Sequence, residues 1–148
     1  MKAIKRSYLV ELNLGSNAPS NGQNIYFQDY PQLRNIFVSG VLVADINTAT
    51  ISPAGKPVVS SLTGITLTMV DTMNREIIRQ HPLKDIAPYY TYGFYRDFEP
   101  FPIQLTKSYI TILNNIGLNA NESVLINISY LLPEDLKQAA PKTINRRL

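Results

Sequence analysis

The sequence has no cysteine, no tryptophan and only one histidine, His81, among its 148 residues. Without cysteine, the chain can hold no disulfide, no thiolate metal site and no cysteine nucleophile. With one histidine, only scattered carboxylates remain as metal ligands, and the Asp-x-Asp spacing of a calcium loop does not occur. We therefore expect no metal and no cofactor.

Long apolar runs are missing as well. No run approaches the ~20 residues that a membrane-spanning helix needs. The basic start Met1–Arg6 is not followed by the apolar segment of a signal peptide. The sequence therefore predicts a soluble, unprocessed protein that is made in the cytoplasm and is not secreted. Its length predicts one domain with a core of its own.

The basic residues are unevenly distributed. The net charge is +3, yet seven of the 14 basic residues lie at the two ends of the chain: Lys2, Lys5, Arg6, Lys137, Lys142, Arg146 and Arg147. We divide the chain into an N-terminal basic arm (1–6), a folded domain (7–136) and a C-terminal basic tail (137–148). Such arms favour an anionic partner, such as nucleic acid, lipid headgroups or an acidic protein patch. The alternative is that basic ends only aid solubility.

Period-two patterns, typical of β-strands, occupy most of the chain. The clearest is Ser123–Leu132, where Val124, Ile126 and Ile128 share one face and Ser129 lies on the other. We predict that it forms a hairpin with residues 107–116. Strands that bury one face need a second layer, so an antiparallel two-sheet sandwich of about eight strands is predicted, with under about 15% helix.

The remaining segments complete this prediction. We expect strands at 5–14 and 24–28, a central strand within the apolar run 33–46, and a second hairpin over 64–79. Residues 47–63 are predicted to be a long exposed loop with a short strand at Val58–Val59. Single helical turns are predicted between Pro82 and Pro88 and at 133–136.

Half of all the aromatic residues fall in residues 89–101: Tyr89, Tyr90, Tyr92, Phe94, Tyr95, Phe98 and Phe101. Tyrosines supply large, amphipathic contact surfaces, so this stretch is predicted to be an interface. The alternative is that its rings plug one end of the sandwich.

Candidate catalytic groups are few. His81 stands before a proline, and no nucleophile-elbow motif accompanies it. Asp97 and Glu99 would share a strand face, as a carboxylate pair acting on a sugar would, but solvated carboxylates show the same spacing. We predict that the protein is not an enzyme and has no small-molecule substrate.

The pattern of strands over residues 5–132 resembles the single jelly-roll capsid proteins of icosahedral viruses, above all the penton or vertex proteins of tailless bacteriophages. The loop Ser52–Pro57, the segment Pro82–Ile86 and the segment Lys107–Ile110 contribute to the resemblance. It implies a jelly-roll subunit with extended basic termini that self-assembles, with a pentamer favoured, and contacts neighbouring capsid proteins. It also implies location in the virion, with the arms reaching nucleic acid or an internal viral membrane.

Two other classes of protein share this architecture. A non-catalytic carbohydrate-binding jelly-roll module would use the aromatic stretch 89–101 as its sugar platform, although it usually brings tryptophan and a signal peptide. A cupin-type enzyme would need a cluster of histidines for its metal, and this sequence has one histidine.

Overall fold

The computed structural model describes residues 6–43, 51–87 and 96–136, with the backbone alone described for residues 96–98. These residues form two four-stranded antiparallel sheets. Sheet 1 has the order β1-β8-β3-β6 and contains β1 (Arg6–Asn13), β3 (Phe37–Val43), β6 (Arg96–Pro102) and β8 (Ser123–Leu131). Sheet 2 has the order β2-β7-β4-β5 and contains β2 (Asn24–Tyr26), β4 (Ile65–Val70), β5 (Glu76–Pro82) and β7 (Tyr109–Ile112). The predicted all-β sandwich is confirmed.

The strands pair in a nested order. β1 pairs with β8, β2 with β7, β3 with β6 and β4 with β5, and every pair is antiparallel. Additional pairing of β3 with β8 and of β4 with β7 joins these pairs into the two sheets. Among these eight strands, only the β4–β5 connection stays within one sheet, so the chain crosses between the sheets at each of the others.

The inner faces of the two sheets form one apolar core. In β8 the predicted inward residues Val124, Ile126 and Ile128 expose no surface, and in β1 Val10 and Leu12 are buried in the same way. Sheet 2 contributes its own buried set, Ile65, Leu67, Met69, Ile110 and Ile112. Because alternate side chains of a strand point to opposite faces, the sequence pattern predicts these inward faces correctly.

Strand β3 is central, as predicted, because it lies between β8 and β6. The apolar run 33–46 has apolar residues at both odd and even positions, which predicts burial on both faces. In β3 this pattern arises instead from a register shift. Pairing with both neighbours shifts between Val38 and Gly40, and an irregularity of this kind turns the following side chains to the opposite face. Val38 before the shift and Val41 and Val43 after it therefore all belong to the core.

The predicted terminal hairpin is wrong. Its two strands exist as β7 and β8, but β7 pairs with β2 and β4, whereas β8 pairs with β1 and β3. The connection 113–122 therefore crosses from sheet 2 to sheet 1. Alternation shows which side chains a strand buries, but it does not show which strand lies beside it.

The second predicted hairpin, β4–β5, is confirmed. The N–H of Asp71 donates to the carbonyl of Arg75 at 2.9 Å, and the N–H of Asn74 donates to the carbonyl of Asp71 at 3.0 Å. Asn74 has a φ of 62°, a left-handed conformation that asparagine tolerates better than most residues. The hairpin turn is therefore closed by residues suited to it.

The loop 47–63 is less exposed than predicted. Of this segment the structure describes residues 51–63, in which Ser52, Val58, Val59 and Leu62 are buried. Val58 forms a bridge with Ser123, and the N–H of Val59 donates to the carbonyl of Ser123 at 3.0 Å. The second half of the loop therefore packs against the start of β8.

The two predicted helical turns are confirmed, at Leu83–Ile86 and at residues 133–136. Helical residues make up 12% of the structure and strands 47%, in agreement with the predicted low helix content. The aromatic stretch is not wholly a loop, because residues 96–102 form β6 and pair with β3. Residues 88–95 lie outside the described residues.

Candidate interaction surfaces

Most of the predicted aromatic interface lies outside the described residues. This holds for Tyr89, Tyr90, Tyr92, Phe94 and Tyr95 and for the side chain of Phe98. Phe101 is 6% exposed and belongs to the core. The ring of Phe101 therefore fills the sandwich, as the alternative prediction states. It offers little surface to a partner.

Of the predicted arm residues, only Arg6 is described. Lys2, Lys5, Lys137, Lys142, Arg146 and Arg147 lie outside the described residues. Arg6 is the first residue of β1, and its Nε donates to Oδ2 of Asp135 at 3.0 Å, with Nη2 and Oδ1 3.4 Å apart. Its charge is thus already paired within the fold.

Asp135 binds both Arg6 and Leu132 just beyond the C-terminal end of β8. We refer to these three residues as the corner clasp. Besides the Arg6 guanidinium, the Asp135 carboxylate accepts the N–H of Leu132 at 2.7 Å, which caps the helical turn at 133–136. The hydrogen bond from Arg6, followed by that from Leu132, holds the pKa of Asp135 below its ordinary value, although burial opposes this. The clasp ties the start of β1 to the end of the domain.

Strand pairing reinforces this arrangement. Arg6 lies opposite Tyr130 in the register of β1 and β8, and Asp135 follows five residues later. Residues 6 and 136, at which the described chain begins and ends, are therefore held at one corner of sheet 1. The two basic segments that flank the domain are joined to it at that same corner.

The candidate catalytic groups are not brought together. His81 lies on β5 opposite Leu67, in sheet 2. Asp97 and Glu99 lie on β6, in sheet 1, where Glu99 is exposed. Among the described residues, no group of three or more potential metal ligands occurs. His81 and the Asp97–Glu99 pair, which are two separate candidates, therefore lie in different sheets.

The outer face of sheet 1 carries a polar network that the sequence pattern does not reveal. Ser123 is fully buried; its hydroxyl donates to Oε2 of Glu11 at 3.0 Å and accepts from Nδ2 of Asn13 at 3.1 Å. The Tyr30 hydroxyl accepts the N–H of Glu11 at 3.1 Å and donates to its carbonyl at 3.2 Å, along the edge of β1. These bonds satisfy buried and edge polar groups, as a structural network does.

The outer face of sheet 2 carries an open depression of about 630 Å³. Its lining comes from β2, the β4–β5 hairpin, β5 and the connection before β7, and includes Tyr26, Asn74, Arg75, Glu76, Arg79 and Lys107. We refer to it below as the sheet 2 depression. It mixes one exposed ring, three cations, one carboxylate and one amide. These residues are far apart in the sequence and are brought together by the order of the strands in sheet 2. Sequence reasoning therefore missed the site.

The positions of the charged groups in the depression are fixed by named contacts. Arg75 pairs with Asp71 at 2.8 Å, and Arg79 pairs with Glu76 at 3.1 Å. Burial alone would raise the pKa of Asp71, but the N–H groups of Arg75 and Met73, together with the Arg75 guanidinium, outweigh it and lower that pKa. Asp71 therefore stays ionised and anchors the cation at the rim.

No protein-family model, curated protein or solved structure matches the chain. Within the described residues, no helix is long and apolar enough to cross a membrane. The function therefore has to be argued from the fold and from the surfaces described above.

Proposed function

We propose that the protein is a viral structural protein, a capsid or vertex (penton) subunit with a jelly-roll fold that assembles with copies of itself. The observation that carries the proposal is the nested pairing of β1 with β8, β2 with β7, β3 with β6 and β4 with β5. A long hairpin of four strand pairs that is rolled until β3 meets β8 and β4 meets β7 would give this pairing, which supports a jelly roll.

Two features favour a jelly roll over a simpler sandwich. In a meander, consecutive strands would be neighbours, whereas here only β4 and β5 are both consecutive and paired. The number of strands, eight in two sheets of four, also matches a jelly roll. Capsid proteins share this architecture with lectin domains and cupins, so the fold supports the proposal without deciding among them.

The described surface offers a segment suited to contact between subunits. Leu113 and Ile116, three residues apart in the β7–β8 connection, expose 52% and 77% of their side chains. The other large exposed apolar residues are more scattered, and isolated ones are normal on any protein surface. Burial of this pair against a neighbouring copy would favour association.

The corner clasp supports a role for the basic arms. Because residues 6 and 136 are held together by Arg6 and Asp135, the two segments that contain the six remaining arm cations join the domain at one corner. Their combined charge favours an anionic partner, which we take to be nucleic acid, an internal viral membrane or a neighbouring capsid protein.

Native mass spectrometry of the full-length protein tests self-assembly. We expect a dominant species of five times the 16.6 kDa chain mass, because the resemblance to vertex (penton) proteins implies a pentamer. Ile116→Asp should weaken the oligomer, and Met73→Asp, at an exposed position on the β4–β5 turn, serves as the control. A monomer at every concentration would contradict the proposal.

The role of the arms is tested by comparing the full-length protein with a version that ends at Leu136. Binding to duplex DNA and to anionic vesicles should fall steeply with salt for the full-length protein, since each neutralised charge adds to the salt dependence. The shortened protein should bind more weakly and with a shallower salt dependence. Indistinguishable behaviour of the two would mean that the tail only aids solubility.

A further inference from the structure

The sheet 2 depression combines features that a solvated protein face does not need. Tyr26 leaves 53% of its side chain exposed and lies at its edge. The ring is held in place, because its centroid is 5.1 Å from that of Tyr109 on the neighbouring strand, with the two planes tilted by 53°. An exposed ring that is already oriented offers a flat surface at low entropic cost.

The polar groups beside this ring are also held in place. Oε2 of Glu76 lies 3.4 Å from the Tyr109 hydroxyl, and Oε1 of Glu76 lies 3.1 Å from Nε of Arg79. Oδ1 of Asn74 accepts a hydrogen bond from Nε2 of Gln104 at 2.9 Å and another from Nζ of Lys107 at 3.2 Å. The depression therefore presents both acceptors and donors beside one ring.

The charge balance of the depression favours an anion at one end. Arg75 and Arg79 each pair with a carboxylate, that of Asp71 and that of Glu76 respectively. Lys107 has only the neutral amide oxygen of Asn74 as a partner among the described residues. A carboxylate or sulfate beside Lys107 would receive a charge-assisted hydrogen bond, which is about twice as strong as a neutral one.

We propose that the sheet 2 depression binds an acidic saccharide. One sugar ring lies on the face of Tyr26, its hydroxyl groups donate to Glu76 and accept from Arg79, and its carboxylate or sulfate lies beside Lys107. The ring matches a sugar because the apolar C–H face of a pyranose packs on an aromatic plane while its hydroxyls remain at the edge. None of the described lining residues belongs to the aromatic stretch 89–101, and the proposal does not depend on self-assembly.

Glu76 distinguishes this ligand from a nucleic acid. A phosphodiester has no hydrogen to donate and would bring its negative charge close to the Glu76 carboxylate, which is unfavourable. Saccharide hydroxyls both donate and accept, so they match a carboxylate paired with a guanidinium. A neutral sugar, in turn, would leave the Lys107 charge without a partner.

The test is a titration of the full-length protein, followed by NMR or calorimetry. The probes are trigalacturonate, its methyl ester, sialyllactose, a heparin-derived tetrasaccharide and trithymidylate. We expect trigalacturonate to bind about tenfold or more tightly than the ester, the factor that one charge-assisted hydrogen bond supplies. Tyr26→Ala and Lys107→Gln should each weaken its binding about tenfold. Arg34→Gln is the matched control, because Arg34 is an exposed cation paired with Asp29 outside the depression.

Each other outcome overturns the proposal. Equal binding of acid and ester would remove the role of Lys107, and unchanged binding by Tyr26→Ala would place the ligand elsewhere. Tighter binding of trithymidylate would make the depression a nucleic-acid surface. Absence of binding by trigalacturonate, by sialyllactose and by a heparin-derived tetrasaccharide would show that no acidic saccharide is held. Because Tyr26 and Lys107 are exposed, their variants should fold, and circular dichroism verifies this.

Discussion

The inner faces of the two sheets are alike, whereas their outer faces differ. Both inner faces are mainly apolar and supply one core. On the outer face of sheet 1, the segment 51–59 packs against the start of β8, where Leu125 is only 3% exposed. Sheet 2 instead leaves Tyr26 and its neighbours open in the sheet 2 depression. The inner faces thus specify the sandwich, and binding has to be sought on the outer faces. Sheet 1 also has an open depression there, of about 510 Å³, whose lining includes Leu9, Glu11 and Leu125.

The largest effects should come from either inner face equally. Ile126→Ala in sheet 1 and Ile110→Ala in sheet 2 remove fully buried side chains, so each should lower the free energy of unfolding by about 2 to 4 kcal/mol. Ser129→Ala, on the outward face of β8, should change it by less than about 0.5 kcal/mol. Urea denaturation measures all three. A cost confined to one sheet would show that the two inner faces do not form a single core.

The outer faces should respond unequally. Leu125→Ala, on the covered face of sheet 1, should cost about 2 kcal/mol because it opens a cavity under the segment 51–59. Tyr26→Ala, on the open face of sheet 2, should cost under about 1 kcal/mol since half of the side chain is already in water. Similar losses in the same denaturation experiment would remove the contrast between the covered and the open face.

Two threonines of β4 offer a finer comparison within the outer face of sheet 2. Oγ1 of Thr68 accepts the N–H of Gln80 at 3.1 Å, whereas Oγ1 of Thr66 is buried with no hydrogen-bond partner among the described residues. Thr68→Val should therefore cost about 1 kcal/mol or more, while Thr66→Val should be neutral or slightly stabilising. The order of the two unfolding midpoints checks this, and a reversed order would contradict the hydrogen-bond assignment.

The smallest effects should appear as the pH falls. The pKa values of Asp71 and Asp135 are both lowered in the folded state. Their contribution to stability is therefore present above the unfolded value of about 4 and is lost as the pH falls through the lower folded values. Asp135→Asn should be less stable at neutral pH and should lose less stability on acidification. An acid dependence as steep as that of the unchanged protein would exclude the clasp as its source.

The sequence predicts the faces of strands better than their neighbours. The alternation in β1 and β8 identifies the inward side chains because successive side chains of a strand point to opposite faces of the sheet. The partner of β7 depends on how the whole chain rolls up, so the predicted hairpin with β8 is wrong although both strands exist. In β3, a local register shift moves the core positions from Val38 to Val41. Gly40 stands at this shift, and a glycine inside a strand is a signal for a bulge that the prediction did not use.

The candidate sites divide in the same way. The basic ends are visible in the sequence because the charges are clustered, whereas the clasp between Arg6 and Asp135 joins residues 129 positions apart. The sheet 2 depression draws Tyr26, Asn74 and Lys107 from three separate segments, each unremarkable alone. Such a site becomes visible only when the strand order is known.

Electron cryomicroscopy of particles purified from cells that produce the chain tests the proposed capsid role most directly. The account predicts that the chain copurifies with icosahedral particles, and that the two-sheet sandwich fits density at their fivefold vertices in five copies. The corner that holds Arg6 and Asp135 should face the particle interior or a neighbouring subunit. Recovery of the chain only as a free monomer, with no copies in any particle, would contradict the account.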